Sequence, residues 1–106
     1  MDSRPAILRE LKRCLESFLG DQLVSTVLFG STARGDSNDD SDIDVAVIVH
    51  GLTRGLKHQI LDKVAELELR HHMPLSVLVL SEEEFSHLKK RERRIALDIE
   101  GEGIPL

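Results

Sequence analysis

Two runs of β-branched and aliphatic residues, Leu23 to Phe29 and Val45 to Val49, stand on either side of the polar segment Ser31 to Ser41. Each has the length and composition of a largely buried strand, and Gly30, directly after the first, permits a tight turn that a residue with a Cβ resists. A sheet is therefore the centre of the fold. Its connection is unusual in charge: Asp36, Asp39, Asp40, Asp42 and Asp44 all fall between positions 36 and 44.

The remaining pattern is helical with one further strand. Ser3 is the expected N-cap and Pro5 lies in the first turn of a helix whose apolar face is Ile7, Leu8, Leu11, Cys14, Leu15, Phe18 and Leu19, ended by Gly20. After the breakers Gly51 and Gly55, the residues Leu56, Ile60, Leu61, Val64, Leu67 and His71 define a second helix. Leu75 to Leu80, following Pro74, reads as a third strand. Ser81 and Glu84 form a capping box that opens a last helix running to about Leu97, and the tail "GEGIPL" fits a short edge strand. Thr32 to Gly35 has room for one helical turn. The fold expected is α/β (α+β): a small mixed sheet of three to four strands flanked by helices, in a single domain over residues 1–106.

Composition limits what such a domain can do. The 106 residues carry a net charge of −5, the size of the aspartate cluster, while the other acids balance the 14 Lys and Arg. A chain so balanced has no general attraction for nucleic acid, because affinity for a phosphate backbone needs clustered cations. No apolar run approaches a membrane span. Cys14 is the only cysteine and no signal peptide is visible, so a reducing, cytoplasmic setting is expected.

The chemistry lies between the first two strands. Side chains of a strand alternate between faces, so Asp42 and Asp44 are expected on the same side, where two carboxylates repel unless a cation neutralises them. Mg²⁺ suits them: it takes oxygen ligands and completes its shell with water and substrate phosphates. At Gly30 and Ser31 a phosphate can approach the backbone closely and accept hydrogen bonds, and Arg34 can add a charged one. The pattern G-S-x10-D-x-D thus sets an anion cradle opposite a metal site.

Through "FGSTARG" and "SDIDVAVIV", and more weakly "LSVLVLSEEEF" and "DIEGEGIPL", the chain resembles the minimal nucleotidyltransferases of the DNA polymerase beta superfamily over nearly its whole length. The resemblance implies a nucleotidyltransferase fold in which Gly30 and Ser31, with Arg34, bind the β- and γ-phosphates of an NTP. Asp42 and Asp44 would be the catalytic residues, holding two Mg²⁺ while a hydroxyl attacks the α-phosphorus. ATP is the donor it implies. Where the family's fuller pattern has a third carboxylate, on the later strand, this chain has Ser76. Stand-alone members of this size resemble antitoxins, which implies a HEPN-domain toxin as partner and adenylylation of a tyrosine near that RNase's active site. An inactive fold that neutralises its partner by covering it is the alternative, supported by Ser76.

Other motifs have simpler explanations. "GSTARGDS" has Asp36 where a P-loop requires Lys, and "DSNDDSDIDVAV" lacks both the glycine and the bidentate glutamate of a calcium loop. Asp36, Asp39 and Asp40 read as solvated turn residues, and His71 and His72 as favourable charges at a helix end. His50, His58 and His87 have no ligand spacing. "KKRERR", residues 89–94, reads as a solvated helix face, and Cys14 as inert core.

Overall fold

The computed structural model describes residues 4–30 and 43–106, with side chains from residue 6 onward in the first stretch. Helix α1 (Arg4–Leu19) leads through a 3₁₀ turn (Gly20–Gln22) into β1 (Leu23–Phe29). The next described element is β2 (Ile43–Val49), followed by α2 (Arg54–His71), β3 (Leu75–Ser81), α3 (Glu82–Lys90), α4 (Arg94–Glu102) and the short β4 (Ile104–Pro105).

The sheet has the order β3-β2-β1-β4. Strand β1 runs antiparallel to both β2 and β4, whereas β2 and β3 are parallel and joined by the crossover helix α2. This is the mixed sheet expected. One face carries Leu28, Ile43, Val45, Val47, Val49, Leu75 and Val79, packed against Ile7, Leu11 and Leu15 of α1 and Ile60, Val64 and Leu67 of α2. Fully burying a side chain of this kind contributes about 1.5–3 kcal/mol, so this layer is the main source of stability. The opposite face is covered over part of its length, where Ala46, Ile48 and Leu80 are buried along with Ala96 and Ile99 of α4.

Local signals place the helices. Thr53 Oγ1 accepts from Leu56 N at 3.1 Å and caps α2, and His72, at φ 50°, closes it with its N–H donating to Glu68 O. The helix thus starts ahead of Gly55, which lies in its first turn, because the Thr53 cap outweighs one glycine. Strand β2 also starts earlier than its apolar run. Asp44 is paired on both sides, with Phe29 of β1 and Ser76 of β3, and the ladders carry the strand to Ile43.

The last helix is two helices. The Ser81–Glu84 capping box is formed in both directions, at 3.0 Å each way, and opens α3. Yet α3 stops at Lys90, Glu92 takes the left-handed conformation at φ 52°, and α4 restarts at Arg94. Phe85, Leu88, Ala96 and Ile99 would span only about 80° of one continuous helical wheel, so the apolar pattern hides the break. Like charges at Lys89, Lys90, Arg93 and Arg94 would repel along an unbroken helix. The turn separates them and lets α3 lie on β3 while α4 reaches β1.

Gly103 then turns the chain into β4. A Cβ there would run into the Ile99 carbonyl and the Val27 side chain. The tail is fastened by Leu106 N donating to Thr26 O at 2.9 Å. Among the described residues, no helix is long and apolar enough to cross a membrane.

Candidate active site

Phe29, Asp44 and Ser76 stand abreast in one row of the sheet, from the end of β1 and the beginnings of β2 and β3. Alternation from the buried Ile43 and Val45 puts Asp44 on the face that α3 and α4 cover, at the end away from the start of α3. Asp44 is half-buried and Ser76 exposed. Neighbouring strands are about 4.8 Å apart, so the Ser76 hydroxyl and the Asp44 carboxylate border the same small space.

Gly30 follows Phe29 with φ 74°, in the left-handed region. A Cβ built on it would lie 2.5 Å from Asp44 Oδ2 and 3.2 Å from Asp44 Cγ. Two physical constraints therefore coincide at one residue: the backbone turns left-handed, and the carboxylate of the next strand takes the place of a side chain. A half-buried hard-oxygen donor at a bare turn suits a hard divalent cation such as Mg²⁺, brought together with phosphate. Among the described residues, no group of three or more His, Cys, Asp or Glu could hold a metal by itself.

Of the candidate site residues, Gly30 and Asp44 are in contact range, and Ser76 is directly beside Asp44. Ser31, Arg34 and Asp42 lie outside the described residues, as do Asp36, Asp39, Asp40, the Thr32 to Gly35 turn and the Ser3 cap. Phe29 was missed by sequence reasoning, because an aromatic residue closing an apolar run looks like ordinary core. Its pairing with Asp44 is a long-range fact.

The other reactive groups are elsewhere. Cys14 is half-buried rather than core, lining a ≈ 400 Å³ groove between α1 and α2 with Arg13, Lys63 and Arg70. His71 Nε2 is 3.3 Å from Glu10 Oε2, an ion-pair distance, while Arg70 Nη1 donates to the same oxygen at 2.8 Å. The carboxyl of Glu10 is held below its ordinary value of 4.5, chiefly by His71, with Arg70 reinforcing and desolvation opposing. Lys90, Arg91, Arg93 and Arg94 are exposed at the α3–α4 turn.

The nucleotidyltransferase-domain family model matches residues 8–99, which include every described residue of this row. The chain belongs to the nucleotidyltransferase domain family. It is 32% identical over 73 residues to "Putative protein adenylyltransferase MJ0141" of Methanocaldococcus jannaschii, covering 69% of this chain and 71% of that protein. It is 35% identical over 79 residues to "Putative protein adenylyltransferase MJ1305" of the same organism, covering 72% of this chain but 53% of the relative. Among solved structures it is similar to "a putative nucleotidyltransferase from Sulfolobus solfataricus", at TM-score 0.60 and 22% identity, over 94% of this chain and 76% of that one. The last likeness establishes the fold: a nucleotidyltransferase sheet with the Gly30 turn and Asp44 at one end.

Proposed function

We propose that this chain transfers a nucleoside monophosphate, AMP from ATP, to a hydroxyl of a protein acceptor. The observation that carries the reading is the abutment of Gly30 and Asp44, in a chain of the nucleotidyltransferase family. Both M. jannaschii relatives are named as putative protein adenylyltransferases, which supports a protein acceptor.

In this reading the Gly30 turn admits the triphosphate to the backbone, and Ser31 and Arg34 donate hydrogen bonds to its terminal phosphates. Asp44, with Asp42, holds Mg²⁺. The metal supplies positive charge that stabilises the attacking and leaving oxygens of an in-line displacement. The acceptor hydroxyl oxygen forms a bond to the α-phosphorus as the bridge to the β-phosphate breaks; pyrophosphate leaves and the hydroxyl proton passes to solvent. Catalysis is then mainly positioning, which a row fixed by two strand ladders provides.

We take the acceptor to be a tyrosine of a helical HEPN-domain toxin, with the chain acting in the cytoplasm as its antitoxin. The resemblance of "FGSTARG" and "SDIDVAVIV" to the minimal nucleotidyltransferases, whose members of this size resemble antitoxins, supports this. The test combines the chain, a HEPN protein, MgCl₂ and α-labelled ATP. Label should enter the partner and should be lost with Asp42→Asn/Asp44→Asn. Toxin neutralisation by that variant, without label, would instead establish an occluding module, the reading that the uncharged Ser76 favours.

A further inference from the structure

The basic run at residues 89–94 is not the solvated helix face that its sequence suggests, because the chain turns within it. Arg93 N donates to Leu88 O and Glu92 N to Lys89 O, each at 3.0 Å. These are the two hydrogen bonds of a Schellman closure, with Glu92, at φ 52°, in the left-handed position that glycine usually occupies. Lys89 Nζ donates to Glu100 Oε1 at 3.1 Å and ties α3 to α4. Lys90, Arg91, Arg93 and Arg94 are exposed around this pinned corner, on a chain whose net charge is −5. The positive potential is therefore local and held in a fixed geometry.

Two observations give the corner a place and a class of partner. Helix α3 starts after Ser81, at the end of β3 opposite Ser76, and α4 leads into Ile104, which pairs with Leu28, the neighbour of Phe29 in the Asp44 row. The turn thus joins the two helices that cover the face of the sheet on which Asp44 lies. Leu97, an exposed apolar residue, follows Arg93 by four residues and Arg94 by three, so it shares their side of α4. A phosphate backbone makes no use of a leucine, whereas protein interfaces set apolar contacts within a charged rim.

Resting on the transferase reading for the identity of the partner, we propose that the α3–α4 turn docks the protein acceptor through an acidic patch on that protein. Carboxylates meet Lys90, Arg91 and Arg93, and an apolar side chain meets Leu97. The charges set encounter rate and orientation, and docking there brings the acceptor to the face of the sheet that holds Asp44.

The probe is a fluorescent random copolymer of glutamate and tyrosine, titrated with the full chain and followed by anisotropy. The wild type should bind it, and more weakly as salt rises. Lys90→Glu/Arg91→Glu/Arg93→Glu should bind at least about tenfold more weakly. Arg9→Glu/Lys12→Glu/Arg13→Glu, the same change of charge at exposed positions of α1 across the sheet, should lose far less. Lys90→Arg/Arg91→Lys/Arg93→Lys, which keeps the charge, should retain binding, and Leu97→Ser should weaken it. Circular dichroism verifies that each variant is folded. Equal losses in the two glutamate triples, or tighter binding of single-stranded oligouridylate than of the copolymer, would overturn the proposal. A fluorescent ATP analogue is titrated into the same proteins and should bind the wild type and the turn variants alike. Copolymer binding that depends on the turn in a chain that takes up no ATP analogue would overturn the transferase reading and leave the docking surface standing.

Discussion

The Asp44 carboxylate fills the position that a side chain on Gly30 would need, its Oδ2 2.5 Å from where that Cβ would stand. Replacing Gly30 by alanine must therefore move the carboxylate as well as strain a backbone at φ 74°. The left-handed conformation alone costs about 1–2 kcal/mol for a residue with a Cβ. Gly30→Ala should lower the urea midpoint accordingly and abolish nucleotidyl transfer. Transfer at the wild-type level would show that the carboxylate's place does not matter.

The capping box at the head of α3 has a separable contribution. Ser81→Ala removes the acceptor for Glu84 N and should cost about 1 kcal/mol. Combined with Glu84→Ala, the loss should fall short of the sum of the single losses, since the two hydrogen bonds belong to one reciprocal unit. Denaturant unfolding of the four proteins of the cycle measures it, and strict additivity would count against coupling.

Thr26 is buried in the middle of β1, and its Oγ1 has no hydrogen-bond partner among the described residues. Because an unsatisfied buried hydroxyl costs about 1–3 kcal/mol, Thr26→Val, of nearly the same shape, should stabilise the protein by about 1 kcal/mol. The backbone carbonyl that accepts from Leu106 is untouched. A lower melting temperature in the valine variant would reveal a role for the hydroxyl.

The Glu10 carboxyl, lowered by His71 first and by Arg70 with it, makes part of the stability depend on pH. The folded chain gives up this proton more readily than the unfolded one, so the contribution is complete above the ordinary value of 4.5 and is lost as pH falls through the lowered value. Urea midpoints measured on the acid side should decline less steeply for Glu10→Gln than for the wild type. Parallel curves would mean that the pair adds nothing to stability.

Strand positions were legible because local chemistry and tertiary role agree there. The stretch "LVSTVLF" is apolar, β-branched and ends at a glycine, and it is β1 from Leu23 to Phe29. Ser81 and Glu84 likewise carry their cap in four residues. The break at Glu92 was not legible, because the apolar phase runs through it and the two helices separate only on meeting different strands. Asp44 and Gly30 stand out by motif. That Ser76 takes the place of a third carboxylate on the later strand is what the family resemblance implies, whereas its position beside Asp44, like that of Phe29 in the same row, is apparent only once the strands are paired.

Glu68, in the crossover helix, accepts a hydrogen bond from Leu75 N at 3.2 Å, from the side of the sheet opposite Asp44. Slippage of β3 by one residue would turn Ser76 to the other face and set an aliphatic side chain next to the carboxylate. The anchor at Leu75 thus acts as an index mark. A glutamate on the far face of the sheet thereby sets which residue of β3 stands beside Asp44.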